Sequence, residues 1–485
     1  MIHGDGPAAW WLRLGAAATV LCFANGRHLV PALAFVGPAL LLAAMRAAPL
    51  RRALAGGLAA MMAAGPVQWG GVVPLPQPWT SLAASLLGAL LLLPYAVDRL
   101  LVSRLAPWPR LLLFPCAQVT LEWLIYQVSP FASFGALAYT QAGWPAMLQL
   151  ASVTGLWGIS FVIALAGSAG AALLTDRRDR RPAAAFAGVL GAVLLFGGVR
   201  LLTAGTTTGT VRVAGLAAKP ADLALIYATK AGCGADACAA ARADAHATFD
   251  AMLRRTQDAA RRGAQLVAWS EVAGTVFADE QATALARLSA LAHRERVTVA
   301  AGLWIVRPGV RRWENKALLI GPDGRVLAAY LKSHPVPGDL DLIGPGVLPV
   351  VATPLGRLGL AICYDMDFPD LARTAADADL MLVPGSDWDA IDPLHPSMVA
   401  MRAVENGYAV VRPSRQSRSV VFDAYGRAAG SAEWRGAAEP TVGATVPRGG
   451  VVTLYGRMGD WFALAAMTGL MALLVTAGRV RAAAS

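Results

Sequence analysis

The sequence predicts a polytopic α-helical membrane domain of about eight spans with an inserted α/β sandwich domain. Three observations predict it. Hydrophobic residues make up 56% of the 485 residues and charged residues only 15%, with a mean hydropathy of +0.50, so much of the chain belongs in lipid. The acids are unevenly placed: residues 1–205 are almost free of Asp and Glu, residues 210–455 carry most of them, and 461–478 are apolar again. Apolar runs approaching the roughly 20 residues that cross a bilayer recur up to residue 203, and beyond 210 shorter strand-like runs alternate with helical patterns. The chain is therefore expected to divide into a bundle of seven spans (1–205), an α/β domain (210–450) and a closing span with its tail (456–485).

Candidate spans lie near 8–25, 29–46, 52–70, 80–98, 110–128, 147–174, 184–203 and 461–478. The third is the weakest, because Gly65, Pro66, Gln68, Gly70 and Gly71 interrupt it; broken helices are tolerated where they pack on neighbours or line a cavity. The first run lacks a small-residue cleavage site and reads as a retained span. Basic residues sort by loop. Arg46, Arg51 and Arg52 follow the second span, Arg99, Arg104 and Arg110 the fourth, and Arg177, Arg178, Arg180 and Arg181 the sixth; Arg479 and Arg481 lie in the tail. The alternate loops hold only Arg27, with none in 72–79 or 129–146. By the positive-inside rule both ends face the cytoplasm and the α/β domain is extracytoplasmic. The net charge of +11 is thus spent on topology, and no nucleic-acid partner is expected.

In the inserted domain, Val211–Ala217, Ala264–Trp269, Val297–Ile305, Lys316–Gly321, Arg325–Tyr330, Leu358–Cys363, Leu380–Val383 and Val410–Arg412 read as strands. Ala239–Arg262, Ala282–Glu295 and His395–Gly407 read as helices, and Asp323–Gly324 as a hairpin turn. Strands alternating with helices argue an α/β sandwich. No dinucleotide, phosphate-loop or paired-cysteine zinc motif occurs, so neither cofactor nor metal is expected. Five cysteines are too few for a disulfide scaffold. Cys233 and Cys238 fit a loop disulfide in an oxidising compartment, with free thiols or a lipid-facing flap the alternatives.

Three polar residues end apolar strands: Glu271 after Leu266–Ser270, Lys332 after Val326–Leu331, and Cys363 after Leu358–Ile362. Taken singly, each is compatible with an ordinary strand end. Together a thiol, a carboxylate and an amine make an acyl-transfer site, in which the thiolate attacks a carbonyl, the carboxylate moves the proton and the ammonium steadies the oxyanion.

These residues, within Trp269-Ser-Glu271, Tyr330-Leu-Lys332-Ser-His334, Ile362-Cys-Tyr-Asp365 and Met401-Arg-Ala-Val-Glu-Asn406, resemble the Glu–Lys–Cys triad of the nitrilase (carbon–nitrogen hydrolase) superfamily. With the membrane spans, and with Gln118-Val-Thr-Leu-Glu122, Gln149–Gly155, Thr453–Arg457 and Gly459-Asp-Trp461, the whole chain resembles the apolipoprotein N-acyltransferase family, or a divergent paralogue of it. The resemblance implies an αββα nitrilase-like domain and a bacterial inner-membrane enzyme with its site on the periplasmic side. It would move an acyl chain from a phospholipid, through a Cys363 thioester, to the N-terminal amine of an S-diacylglyceryl-cysteine lipoprotein. Glu271 is then the base and Lys332 the oxyanion partner, with Tyr364 supporting through its backbone and Glu405 orienting Lys332.

The chain departs from the family pattern in three loops. The loop after Lys332 is one residue shorter and ends in Asp339 where the family has Glu, the Asn-Asp-x-Trp-Phe loop is here Ser386-Asp-Trp388-Asp389, and Arg412 is followed by Arg415 and Arg418. Asp339 or Asp341 is expected to replace the missing Glu. Two other readings remain at this stage: a membrane-bound amidase that resolves the thioester with water, and a non-catalytic paralogue that binds lipids or proteins.

Overall fold

The computed structural model describes residues 7–72, 75–205, 209–219, 226, 229, 235–339, 341–392, 394–434 and 439–482. Two compact units emerge: one comprises the chain up to Thr203 with the chain from Met458, the other Ala204–Arg457.

The first unit is helical. Its helices are α1 (Pro7–Cys22), α2 (Leu33–Arg46), α3 (Leu50–Trp69), α4 (Trp79–Leu91), α5 (Leu93–Leu101), α6 (Pro107–Val128), α7 (Leu156–Thr175), α8 (Arg181–Leu202) and the closing helix Trp461–Ala482. Five stretches among the described residues are long and apolar enough to cross a membrane: Trp79–Arg104, Pro107–Val128, Leu156–Thr175, Arg181–Leu202 and Trp461–Val480. Helices Ala8–Cys22 and Leu33–Arg46 are apolar but shorter. The run expected as one span over 147–174 is interrupted: Gly155 takes a φ of 63°, single turns precede it, and α7 starts only at Leu156.

Sequence explains the packing of the weak third span. A Cβ on Gly65 would sit 2.2 Å from the Ala84 carbonyl oxygen, and one on Gly88 would sit 2.2 Å from that of Met61. Bare glycines on both partners let α3 and α4 cross with their backbones touching, the usual use of small residues between apolar helices. Polar side chains in this unit find partners inside it. Asp98 on α5, fully buried, takes a two-pronged bond from Arg46 on α2 at 2.7 and 2.8 Å. Glu122 accepts from Gln118 at 2.9 Å and from the Leu137 amide at 3.1 Å. Asp460, at the mouth of the closing helix, accepts the indole N–H of Trp157 at 2.8 Å and of Trp123 at 3.0 Å.

The second unit is built on two sheets and a short parallel pair, β10 (Gly385–Ser386) with β12 (Ser414–Arg415). The first runs β15 (Thr441–Pro447), β1 (Thr210–Leu216), β2 (Leu266–Trp269), β4 (Thr298–Val306), β5 (Glu314–Ile320) and β6 (Val326–Leu331), with β3 (Gly274–Phe277) also on β4. The second runs β14 (Ala428–Ala432), β13 (Ser419–Phe422), β11 (Ala409–Arg412), β9 (Leu380–Leu382), β8 (Gly356–Leu360) and β7 (Val350–Thr353). Both have parallel centres, β1–β2–β4 and β8–β9–β11, flanked by antiparallel strands. Helices α9 (Ala235–Arg261) and α10 (Gln281–Glu295) lay Phe249, Met252, Leu288 and Ala292 on the first sheet, against Val267, Trp269 and Val299. Helix α11 (Leu394–Asn406) packs on β11 and β13 of the second. The Asp323–Gly324 turn joins β5 to β6 as a hairpin, with Gly324 at a φ of 79°. Cys238, at the start of α9, is disulfide-bonded; its expected partner Cys233 lies outside the described residues.

Candidate active site

Parallel strands whose side chains are buried along their length must discharge their polar residues where they end. Strand β2 is buried throughout, and Glu271 follows it by two residues. Lys332 directly follows β6, and Cys363 follows β8 by three residues. All three are buried, at 4%, 1% and 3% exposure. Lys332 Nζ donates to Glu271 Oε1 at 2.7 Å, and both groups act electrostatically on the Cys363 thiol. The three residues singled out from sequence are thus brought together.

Cys363 has a φ of 46°, a left-handed conformation that is uncommon outside glycine and tends to mark functional turns. Its amide donates to the Pro384 carbonyl at 2.8 Å. Burial, reinforced by Glu271 and Asp387, pushes the thiol pKa well above its ordinary value, against the opposing pull of Lys332 and Arg412. The thiol therefore rests neutral and would need a base before it could act as a nucleophile. Burial alone would strip the proton from Lys332, but Glu271 and Asp339 hold it as ammonium.

Asn315 on β5 was not read from the sequence. Its Nδ2 donates to Glu271 Oε1 at 2.7 Å and to Asp341 Oδ2 at 3.2 Å, while its carbonyl accepts the Lys332 amide at 2.9 Å. Its place between Glu314 and Lys316, at the charged start of the strand, left no apolar pattern to mark it. Asp365 pins two loops together. Its carboxylate accepts from the Tyr330 hydroxyl at 2.8 Å, the His334 amide at 2.9 Å and the Ile362 amide at 3.0 Å.

The supporting residues fall differently. Tyr364 stacks edge-on to Phe368 at 5.4 Å. Asp339 is solvent-accessible; partial burial of its carboxyl, with Asp341 and Glu271 nearby, pushes its pKa up to about 6 against the pull of Lys332. Asp341 is buried and accepts the Trp304 indole N–H at 3.2 Å. Glu405, expected to orient Lys332, forms a buried ion pair with Arg402 one turn back on its own helix at 2.9 Å. Arg415 is buried against Ser386 Oγ at 2.8 Å, and Arg418 pairs with Glu433 at 2.8 Å.

A second buried cluster flanks the thiol. Asp387 accepts His395 Nδ1 at 2.7 Å, Arg412 Nη2 at 2.8 and 2.9 Å, and Ser417 Oγ at 2.6 Å. His395 Nε2 lies 3.3 Å from Asp367 Oδ2. Burial opposes a charge on His395, but the two carboxylates raise its pKa to about 9; Asp387 in turn is held well below the carboxylate range by Arg412 and His395, despite its burial. Cys363, Asp387 and His395 offer a thiol, a carboxylate and an imidazole within 4.8 Å of one another, which is a metal-site donor set. The set does not fit a metal, because Arg412 Nη2 already sits among the three donors, 3.9 Å from Sγ and 3.4 Å from His395 Nδ1.

Comparison with known proteins bears on both units. Residues 15–169 match the family model for the apolipoprotein N-acyltransferase N-terminal domain, and residues 231–453 match that for carbon-nitrogen hydrolase. The apolipoprotein N-acyltransferase of Bradyrhizobium diazoefficiens is 27% identical over 429 residues, covering 80% of this chain and 76% of that protein. The one from Geobacter metallireducens is 26% identical over 400 residues, covering 76% and 74%. The human deaminated glutathione amidase is 31% identical over 141 residues, but covers only 24% of this chain and 43% of its own. A solved Nesterenkonia amidase aligns over 48% of this chain and 92% of its own at 23% identity, with a TM-score of 0.39. The two matched domains, in this order along one chain, and relatives that span both of them place the protein in a single family: the chain belongs to the apolipoprotein N-acyltransferases.

Proposed function

We propose that this protein is a phospholipid-dependent N-acyltransferase acting on S-diacylglyceryl-cysteine lipoproteins, with Glu271, Lys332 and Cys363 as its catalytic triad. The juxtaposition of a buried thiol with a Glu–Lys pair bonded at 2.7 Å carries the chemistry, and the names of the relatives that cover both units carry the substrates. The chain has eight spans and sits in the bacterial inner membrane, with residues 210–450 on the periplasmic side and both ends in the cytoplasm; the alternation of arginine-rich and arginine-poor loops supports this.

In the first half-reaction Glu271 takes the thiol proton as Sγ attacks the ester carbonyl of the phospholipid. Lys332 and the backbone N–H groups near Tyr364 stabilise the oxyanion. Collapse breaks the ester C–O bond, and the lysophospholipid oxygen leaves with the proton held by Glu271. In the second, the lipoprotein amine attacks the thioester, Glu271 takes a proton from nitrogen, and the thiolate departs and is reprotonated. Asn315 holds the base in register. The amidase reading is not favoured, because the deaminated glutathione amidases match only about a quarter to a third of the chain.

The test is intact mass spectrometry of detergent-purified protein incubated with phospholipid, with and without a diacylglyceryl-cysteine peptide. An acyl adduct that is labile to hydroxylamine, absent from Cys363→Ala and chased onto the peptide amine is expected. Acyl transfer by Cys363→Ala would remove the nucleophile assignment; an adduct released only to water would remove the acceptor.

A further inference from the structure

The triad leaves the Asp367–His395–Asp387–Arg412 cluster without a task, and its end member touches the reacting atom. Arg412 closes β11 and is 1% exposed. Only its Nη2 is engaged, by Asp387, and that nitrogen lies 3.9 Å from Cys363 Sγ. Its Nε and Nη1 have no partner among the described residues. A fully buried guanidinium would be expected to use most of its five donors, so it is poised for a further acceptor.

Charge accounting indicates what that acceptor is. Glu271 with Lys332 is neutral, and so is the alternating set Asp367, His395, Asp387 and Arg412. Transferring the thiol proton to Glu271 places a negative charge first on sulfur and, as the tetrahedral centre forms, on the carbonyl oxygen. When the amine later expels the enzyme, the charge returns to sulfur. One cation cannot be adjacent to both atoms. Lys332, released from its carboxylate once Glu271 is protonated, serves oxygen, and Arg412 is the cation already beside sulfur.

We propose that Arg412 is a further catalytic residue: it donates to the Cys363 thiolate as that forms in the first half-reaction and as it leaves in the second, while Asp387, steadied by His395, holds the guanidinium in reach. The assignment rests on Cys363 being the nucleophile. Alkylation of the thiol reads it without requiring acyl transfer, so a wrong substrate and a wrong role for Arg412 give different results.

The experiment measures the rate of Cys363 alkylation by iodoacetamide from neutral to alkaline pH on the full-length protein in detergent, using wild type, Arg412→Gln, Arg412→Lys and Asp387→Asn. The groups around the thiol are Glu271, Lys332, Asp387, Arg412 and His395, with Asp367 against the far nitrogen of His395. Arg412→Gln should move the alkylation midpoint up and slow acyl-enzyme formation about a hundredfold, the cost of losing one charge-stabilising donor. Arg412→Lys should recover part of both. Asp387→Asn should move the midpoint down, since it removes a negative neighbour and frees the guanidinium toward sulfur. Opposite shifts support the role. A guanidinium that only braces the fold would lower the melting temperature of both variants and leave the midpoints together, which overturns it. If Arg412→Gln does not fold, Asp387→Asn decides alone: a downward shift supports the proposal, and no shift or an upward one sinks it.

Discussion

The backbone amides of Cys363 and Glu271 hang from consecutive carbonyls, those of Pro384 and Gly385, at 2.8 and 3.1 Å. One dipeptide just beyond β9 therefore sets the separation of Cys363 and Glu271, although the two residues come from different sheets. It also faces the guanidinium: a Cβ on Gly385 would lie 3.0 Å from Arg412 Cζ and 3.0 Å from Ser414 Oγ. Gly385→Ala must push either the cation or the shared carbonyl aside. Misplacement of reacting groups by about an ångström costs on the order of a hundredfold in rate, and overpacking costs about 1–3 kcal/mol. A fall of at least tenfold in acyl-enzyme formation, with the protein still folded, is expected; an unchanged rate would show that the dipeptide does not control the geometry.

Glu271 Oε1 accepts from both Lys332 and Asn315 at 2.7 Å. Glu271→Gln removes the proton acceptor and leaves the Lys332 ammonium buried without its counter-ion. Acyl-enzyme formation should drop by about 10²–10⁴, the range for loss of a general base. Asn315→Ala keeps the base but frees its orientation, so a smaller loss, about tenfold, is expected in the same assay. Equal losses in the two variants would indicate that position alone, and not basicity, limits the reaction.

Asp365 joins the Lys332 loop to the Cys363 turn through Tyr330, His334 and Ile362. All of its donors are N–H or O–H groups, so an amide nitrogen in its place would oppose one of them. Asp365→Asn should destabilise this unit by roughly 2–3 kcal/mol, the scale of hydrogen bonds to a buried charge. Tyr330→Phe, which removes one neutral donor, should cost roughly 1 kcal/mol. Thermal melts followed by far-ultraviolet circular dichroism rank the two variants; a Tyr330→Phe loss as large as that of Asp365→Asn would contradict the staple.

Glu271, Lys332 and Cys363 were legible as candidates because each is a polar residue at the end of an apolar run, although the strands they end belong to two different sheets. The flanking cluster was not. Asp387, His395 and Arg412 come from a loop, a helix and a strand end, and only the parallel pairing of β9 with β11 makes them neighbours. Strand β15 was missed because just Val442 and Val446 of its seven residues are buried, too sparse a pattern to mark a strand. The helix holding Glu405 was read within a residue at each end, but helical spacing cannot say that a glutamate turns to Arg402. Gly65 reads as an interruption when taken along the chain; across it, Gly65 and Gly88 are contacts.

His395 links the site to pH. Its pKa is raised from the ordinary 6.5 to about 9 by Asp367 and Asp387, against burial. A histidine whose folded pKa exceeds its unfolded value stabilises the fold fully below the unfolded pKa, and that stabilisation fades as pH rises through the folded one. The window therefore runs from about pH 6.5 to about 9. At about 1.4 kcal/mol per unit, the contribution lost across it is of order 3 kcal/mol. The melting temperature should fall across this window and the fall should be shallower in His395→Gln, which carries no proton to lose. The two slopes compared over the same buffers decide the point: parallel curves would mean that His395 is neutral in the folded protein and that the Asp367–Asp387 pair is bridged by other means.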